Sequence, residues 1–305
     1  MLRISNALAA FPLAAVYTAS IYIVAWLVFC YLLLAVFLLS HKSQPLVLFC
    51  CSVIGLSLAL LASWLEPLTD NCRMTMLDVG QGQCILLQSE GKTYLVDCGG
   101  SDAEEAADAA AERLLSQGIF RLDGVILTHF DKDHSGGMEY LLRRIPADSL
   151  FVPYCTDEEH VLEHLEPLVG LVMELRDNIM ISYGGTDLSI FAPVVPDSGN
   201  ESSLAVLFRR GSCDILITGD RSAFGERMLL RTADVPEVDI LVAGHHGSKH
   251  STSAQLLAAT MPKIVAISVG ENHYGHPAQE VLDRVAAVGA MLYRTDLHGN
   301  LIFRR

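Results

Sequence analysis

The sequence predicts a mixed α/β domain, with strands enough for two packed sheets, preceded by a pair of transmembrane helices. Three observations carry that expectation. Charge is missing from two long stretches near the N-terminus. From Arg73 onward short apolar strands follow one another and then alternate with helical segments. Four of those strands run directly into clusters of His and Asp.

The apolar stretches come first. No Lys, Arg, Asp or Glu occurs between Arg3 and Lys42, and none between Pro45 and Leu65. The first run, entered at Pro12 and ending near Leu39, exceeds the roughly 20 residues a helix needs to cross a bilayer. It is also much longer than the apolar segment of a cleaved leader. The second run, Pro45 to Leu65, has the length of one span. Residues 1–69 are therefore expected to form a membrane region with spans at about 12–39 and 45–65, joined by the polar turn "SHKSQP". Residues 70–305 are expected to form one soluble domain.

Within that domain "RMTMLDVGQGQCILLQ" reads as two strands around a glycine turn, and "KTYLVDCGG" as a third. "SDAEEAADAAAERLLSQG" has the acidic start and glycine stop of a helix. "LDGVILTH" is a buried strand, "GGMEYLLRRI" a helix, "SLFVP" a strand and "DEEHVLEHLEPL" a helix. A group of strands follows: "VMELRD", "TDLSIFAP", "SSLAVLFRR" and "CDILITGD". Helices "SAFGERMLLR", "TSAQLLAAT" and "PAQEVLDRVAAVG" then alternate with strands "VDILVAG" and "KIVAISVG", and "AMLYRT" and "NLIFRR" close the chain. A strand meander followed by helix–strand alternation is the pattern of a layered α/β domain.

The chemistry concentrates at strand ends, where catalytic groups commonly gather. "LTHFDKDHSGG" places His129, Asp131, Asp133 and His134 within six residues. Imidazole nitrogen and carboxylate oxygen are ligands for Zn²⁺ and Mn²⁺. Alternate positions can face one way while the adjacent His134 faces another, which suits two ions on one loop. "ILITGD" delivers Asp220, a carboxylate fixed at a strand terminus and able to bridge two cations. "ILVAGHHGSKHS" brings His245, His246, Ser248, Lys249 and His250, and "ISVGENHYGHP" brings His273 and His276. The plainer alternatives are a solvated polar loop with helix caps at the first cluster, and an N-cap for the following helix at Asp220.

Charge and cysteine usage set limits. With Arg3, Lys42 and Glu66 set aside, 19 basic and 34 acidic residues remain, a net of −15 for residues 70–305. That balance argues against tight phosphate binding by the polypeptide itself. The eight cysteines form no CxxC pattern, and Cys84 and Cys98 sit on apparent strands as small apolar groups.

Taken together, "LDVGQGQ", "LVDCGG", "LTHFDKDHSGG", "LITGD", "GHHGSKHSTS", "YGHP" and "RTDLHG" resemble the metallo-β-lactamase superfamily. Within it they resemble the C-terminal part of the ComEC family of competence DNA-uptake membrane proteins. The motifs extend from Leu77 to Gly299 in that family's order, and the two spans lie where the family has its last membrane helices. The resemblance implies an αββα sandwich with two divalent metal ions along one edge. It assigns His129 and Asp131 to one ion, Asp133 and His134 to the other, and Asp220 as the bridge. The late ligand is open among His245, His246 and His276; His245 is expected near the site and His276 as the ligand. Asp133, Asp220, His245 and His246 are the expected catalytic groups, and Lys249 with Ser248 the expected substrate contacts. Asp78 and Asp97 are expected to support the first loop from behind.

Two departures matter. Asp131 stands where the wider superfamily's HxHxDH motif has its second histidine, which makes the site harder and favours Mn²⁺ over Zn²⁺. The superfamily's further histidine before the bridging Asp is also missing, leaving Ser203, Asn200 or water to fill its place; His160 and His164 are expected to face solvent. The implied activity is phosphodiester hydrolysis in DNA uptake, degrading the strand that is not imported. The implied partners are single-stranded DNA, the lipid bilayer and other parts of an uptake channel. The implied location is the cytoplasmic membrane as a multi-pass protein, with the domain on the outer side. The family's long N-terminal region has no counterpart here, so a truncated or split member, or a fragment, is expected. Two rival readings are a small-ester or lactone hydrolase and a non-catalytic module braced by metal.

Overall fold

The computed structural model describes residues 20–40, 44–69, 72–155, 160–193 and 199–305. Pro12, the turn residues 41–43 and the start of "DEEHVLEHLEPL" lie outside the described residues. Two compact units are distinguished. One comprises Met1–Thr69 with Glu112–Phe120, and the other Asp70–Ala111 with Arg121–Arg305.

The first unit contains helices α1 (Ile21–Leu39) and α2 (Pro45–Thr69). Ile21–Leu39 and Pro45–Ser63 are each long and apolar enough to cross a membrane, with mean hydropathies of 2.7 and 2.5. Their small residues let them pack closely. A side chain at Gly55 would meet the Trp26 ring at 3.2 Å. Trp26 Nε1 donates to the Ser52 carbonyl at 2.9 Å, Cys30 Sγ lies 3.2 Å from Ser52 Oγ, and the hydroxyls of Ser20 and Ser63 meet. These contacts satisfy the polar groups of Trp26, Cys30, Ser20 and Ser63 on the facing sides of the two helices.

The second unit is a sandwich of two seven-stranded sheets. The first runs β14 (Leu301–Arg304), β1 (Arg73–Met76), β2 (Ile85–Ser89), β3 (Lys92–Val96), β4 (Gly124–Ile126), β5 (Ala147–Pro153) and β6 (Val169–Leu175). The second runs β13 (Met291–Arg294), β12 (Ile264–Ile267), β11 (Ile240–Val242), β10 (Cys213–Ile217), β9 (Ala205–Arg210), β8 (Thr186–Phe191) and β7 (Ile179–Tyr183). Each sheet is antiparallel in one half and parallel in the other. Period-2 alternation fixes the faces. Met74, Met76, Ile85 and Leu87 meet Val206, Phe208, Ile215 and Ile217 between the sheets. Leu207, Leu216 and Leu241 point the other way, onto α7 (Ala223–Thr232), α8 (Ala254–Thr260) and α9 (Gln279–Ala287), through Leu229, Leu256 and Val281. On the first sheet's side, α3 (Ala103–Ser116) buries Ala106, Ala107 and Ala110.

Three details differ from the sequence reading. "IMISY" forms an extra strand, β7, which pairs with β8 through the Gly184–Gly185 turn. The predicted helix "GGMEYLLRRI" is shortened to α5 (Met138–Leu142), and a separate short helix, α4 (Lys132–Ser135), precedes it within "DKDHS". The break falls at Gly137, where a side chain would lie 2.7 Å from the Ala103 carbonyl oxygen and 2.9 Å from that of Cys98. After residue 160 the helical segment is only α6 (Val161–Leu165) and a 3₁₀ turn containing Pro167. The chain closes through a short α10 (Thr295–His298) and β14. No disulfide is formed among the described residues.

Candidate metal centre

The strand ends of the two parallel halves deliver the polar residues to one place. Val96 leads into Asp97, Ile126 into Thr128 and His129, Ile217 into Asp220, Val242 into His245 and His246, and Ile267 into Ser268. Two overlapping groups result: Asp133, His134, Asp220 and His246, and His129, Asp131 and Asp133. Within each, the potential ligand atoms all lie within 4.8 Å of one another.

Asp220 is the hub. Its Oδ1 lies 3.2 Å from His134 Nε2, and its Oδ2 lies 3.8, 3.6 and 4.0 Å from Nε2 of His129, His245 and His246. His246 Nε2 is also 3.3 Å from Asp133 Oδ2 and 3.3 Å from His134 Nε2, while its Nδ1 contacts the Ser268 carbonyl at 2.9 Å. His129 Nε2 lies 3.6 Å from Asp131 Oδ2. Both capping alternatives fail on this geometry. Asp131 precedes α4 but makes no side-chain cap bond. The cap of α7 is Ser222, which accepts from Phe224 N–H, so Asp220 is not needed there.

These residues fit divalent cations. Two ligands about 2.1 Å from a shared ion sit about 3.0–3.4 Å apart in octahedral or tetrahedral geometry, close to the shorter separations seen. His129 Nε2 is buried and has no hydrogen-bond partner, an expensive state for a polar atom unless an ion takes it up. His134, His246, His129 and Asp220 are buried, whereas the side chains of Asp131, Asp133 and His245 are 52 %, 36 % and 31 % exposed. The cluster therefore opens toward solvent on the side of those three residues.

Electrostatics follow from the packing. Burial pulls the His129 imidazole down, helped by His134 and opposed by Asp220 and Asp97. Burial also opposes charge on His134, but Asp220 and Asp97 outweigh it and hold this imidazole well above its usual range. For Asp220 burial is overcome by His134 and His246, which keep the carboxyl well below its usual range. Asp133 follows the same pattern and is held at about 2, the hydrogen bond from His246 being the largest lowering influence against burial.

The supports come from residues that sequence reading had singled out only in part. Asp97 is fully buried, and its carboxylate accepts from Gln83 Nε2 (2.8 Å), Thr128 N–H and Oγ1 (2.7 Å each) and His134 Nδ1 (2.7 Å). Asp78 does not share this role: it is exposed, accepts from Gly80 N–H, and gives its own N–H to Asn300. The loop 79–83 presses on the motif, since a side chain at Gly82 would lie 2.7 Å from the Asp133 carbonyl oxygen. Ser203 is not a spare ligand. Its hydroxyl donates to the Asn200 carbonyl at 2.8 Å and accepts from Asp220 N–H at 3.1 Å, while Asn200 Nδ2 meets His245 Nδ1 at 3.3 Å. Arg221, fully buried, donates to the carbonyls of Ser203, Phe191 and Ala192. Burial pulls its guanidinium down to about 10. Glu226, also buried, accepts the N–H groups of Thr252 and Ser253 at 2.5 and 2.9 Å. Thr252 Oγ1 in turn accepts Gly244 N–H at 3.0 Å, just before the double histidine. Gln83 closes the motif "LDVGQGQ", whereas nothing in the local spacing of Arg221 or Glu226 marks them in the sequence.

The late histidines separate clearly. His245 and His246 both have left-handed backbones, φ 49° and 53°, which send their side chains to different places. The geometry puts His246, rather than His276, among Asp133, His134 and Asp220. His276 instead packs its ring 5.5 Å from that of His245, and its Nδ1 is buried without a partner. Ser248 is buried within its own turn, and Lys249 is exposed beside it. His160 pairs with Glu163 on the surface, and neither His160 nor His164 reaches the cluster.

The family model described as "Metallo-beta-lactamase superfamily" matches residues 77–271. The chain is 28 % identical over 278 residues to ComE operon protein 3 of Bacillus subtilis, covering 84 % of this chain and 35 % of that protein. It is 30 % identical over 239 residues to competence protein ComA of Neisseria gonorrhoeae, covering 75 % and 32 %. It is 31 % identical over 230 residues to recombination protein 2 of Haemophilus influenzae, covering 74 % and 28 %. These homologues are of the ComEC family, and the chain spans about a third of their length. Among solved structures, the metallo-beta-lactamase fold protein YhfI of Bacillus subtilis superposes with a TM-score of 0.53 at 12 % identity, covering 77 % of this chain and all of that one. CmlA, a diiron beta-hydroxylase from Streptomyces venezuelae, gives 0.52 at 17 % identity, covering 77 % and 54 %. The fold is thus the one expected, and its appearance in a hydroxylase illustrates that fold alone does not fix the reaction.

Proposed function

Because the chain belongs to the metallo-beta-lactamase superfamily, we propose that it is a membrane-anchored, metal-dependent phosphodiesterase that cleaves single-stranded DNA during DNA uptake. The observation that carries this reading is Asp220, a buried carboxylate facing four imidazoles, among them His134 and His246 of one donor group and His129 of the other. Asp133, His134, His246 and Asp220 would hold one divalent cation; His129, Asp131 and Asp133, with Asp220 3.8 Å from His129, would hold the other. When bound, such a pair supplies Lewis acidity toward a phosphoryl group and lowers the pKa of water enough for hydrolysis at neutral pH. The chain's own residues supply the rest. Asp97 fixes the ring of His134 through Nδ1, and the Ser268 carbonyl does the same for His246. His245, with Nδ1 turned to Asn200 and Nε2 toward Asp220, is placed to hold or give up a proton at Nε2 on the open side of the cluster.

The carboxylate at Asp131 favours Mn²⁺ over Zn²⁺ in this reading. The two apolar helices anchor the chain in the cytoplasmic membrane as a hairpin, with the α/β unit on its outer face among other parts of an uptake assembly. Competence-protein homologues suggest a role in DNA uptake, and that suggestion is the ground for choosing DNA. The net of −15 in residues 70–305 favours a second reading, hydrolysis of a small uncharged ester or lactone. A direct comparison separates them. The full chain in detergent, supplied with Mn²⁺ or Zn²⁺, is given a single-stranded oligonucleotide and a nitrophenyl ester. Cleavage of the oligonucleotide alone supports the proposal, cleavage of the ester alone supports the second reading, and cleavage of neither leaves a metal-braced module.

A further inference from the structure

Tyr274 is 77 % exposed, yet its loop is firmly held. The Asn272 carboxamide accepts the N–H groups of Tyr274 and His276 at 3.1 and 3.0 Å, and donates to the carbonyls of Gly270 and His276 at 2.8 Å each. The phenol ring lies 5.8 Å from the His276 ring at 31°, and His276 lies 5.5 Å from His245. His245 Nε2 is 3.6 Å from Asp220 Oδ2. A continuous row of rings thus runs from the hub of the cluster to solvent and ends in one open aromatic face. Folding gains little from holding a tyrosine there, since most of its surface stays in water.

The charge balance sharpens the point. With 34 acidic against 19 basic residues in the α/β part, neutralising phosphates along a strand is a weak source of affinity. Stacking on a base does not depend on net charge, and each base so held is worth a substantial factor in binding. A scissile phosphate at the cluster has its neighbouring base only one sugar away. We propose that Tyr274 is a substrate-positioning residue, whose ring stacks on the nucleobase beside the scissile phosphodiester. This inference rests on the proposed action on DNA.

The test uses the full chain in detergent, as wild type, Tyr274→Ala and Tyr274→Phe. Binding is read by fluorescence anisotropy in EDTA, with a labelled oligothymidylate and an abasic strand of equal length. Wild type and Tyr274→Phe should bind the base-bearing strand about tenfold more tightly than the abasic one, and Tyr274→Ala should lose that preference. With Mn²⁺, Tyr274→Ala should raise KM for the oligothymidylate about tenfold with little change in kcat, and leave KM for the abasic strand unaltered. Equal affinity of wild type for both strands, or no DNA binding at all, overturns the inference, as does an unchanged preference in Tyr274→Ala. The two proposals fail separately. Base-dependent binding without cleavage keeps Tyr274 and refutes the nuclease, whereas cleavage indifferent to Tyr274 does the reverse.

Discussion

The Nδ1 of His134 lies 2.7 Å from Oδ2 of Asp97, and both side chains are fully buried. This contact fixes which nitrogen of His134 faces the cluster. It also places a carboxylate behind the ring, the arrangement that strengthens a metal-binding imidazole.

Replacing Asp97 by Asn tests that support. Asn tolerates the left-handed backbone found at this position, φ 59°, so the variant should fold. Without the charge, affinity for Mn²⁺ should fall by about 10–100-fold, measured by calorimetric titration of the metal-free protein. Unchanged affinity would assign Asp97 a purely structural role.

A pH dependence follows from the same pair. Asp220 and Asp97 raise the pKa of His134 above its ordinary value against the opposing effect of burial. Below that raised pKa the metal-free protein carries a proton on Nε2, shared with Asp220, and a cation must displace it. Metal binding should therefore release protons, and apparent affinity should strengthen by up to about tenfold per pH unit as pH rises toward that pKa, then level off. Calorimetry in buffers of different ionisation enthalpy counts the protons. A binding constant flat across neutral pH would remove His134 from the ligand set.

Much of this site was legible in the sequence because strand ends carry it. The apolar runs before His129, Asp220, His245 and Ser268 are short and bounded by glycine or polar residues, so their termini could be read directly. The choice between His246 and His276 was not legible. Both follow a strand by a few residues, and the decision rests on the left-handed conformation at His245 and His246, which spacing does not encode. Ser203 was one candidate to fill the place of the superfamily's missing histidine. Only the fold reveals that its hydroxyl is engaged by Asn200 and Asp220. Strand β7, "IMISY" between "RDN" and "GG", was not among the strands read from the sequence; its pairing with β8 makes it a strand.

Asp131 offers a test of metal choice. Its carboxylate is half-exposed, 3.6 Å from His129 Nε2, and contributes a hard oxygen donor. Asp131→His replaces it with a softer nitrogen and should move the preferred activator from Mn²⁺ toward Zn²⁺ by about tenfold in relative affinity. Competition titration of the two ions reads the shift directly. An unchanged ratio would show that Asp131 is not a ligand.

The helical hairpin makes a simpler prediction. Two helices with mean hydropathies of 2.7 and 2.5 expose most of their apolar residues, so the full chain should stay in the membrane pellet through an alkaline carbonate wash. Residues 70–305 expressed alone should remain in the supernatant. Release of the intact chain by the wash would exclude a spanning hairpin.

The central claim is that Asp133 and Asp220 belong to a centre that hydrolyses DNA. Asn at either position keeps the shape and removes one negative charge from the donor set, leaving cations underbalanced and one of the two donor groups incomplete. The measurement is Mn²⁺-dependent cleavage of a labelled single strand by the full chain, with folding checked by circular dichroism. Asp133→Asn and Asp220→Asn should each lower the rate by about a thousandfold or more, equivalent to the several kcal/mol a metal centre supplies. Glu163→Gln, at an exposed acid paired with His160, should cleave like wild type. Cleavage at the wild-type rate in both site variants, with the fold intact, would contradict the account.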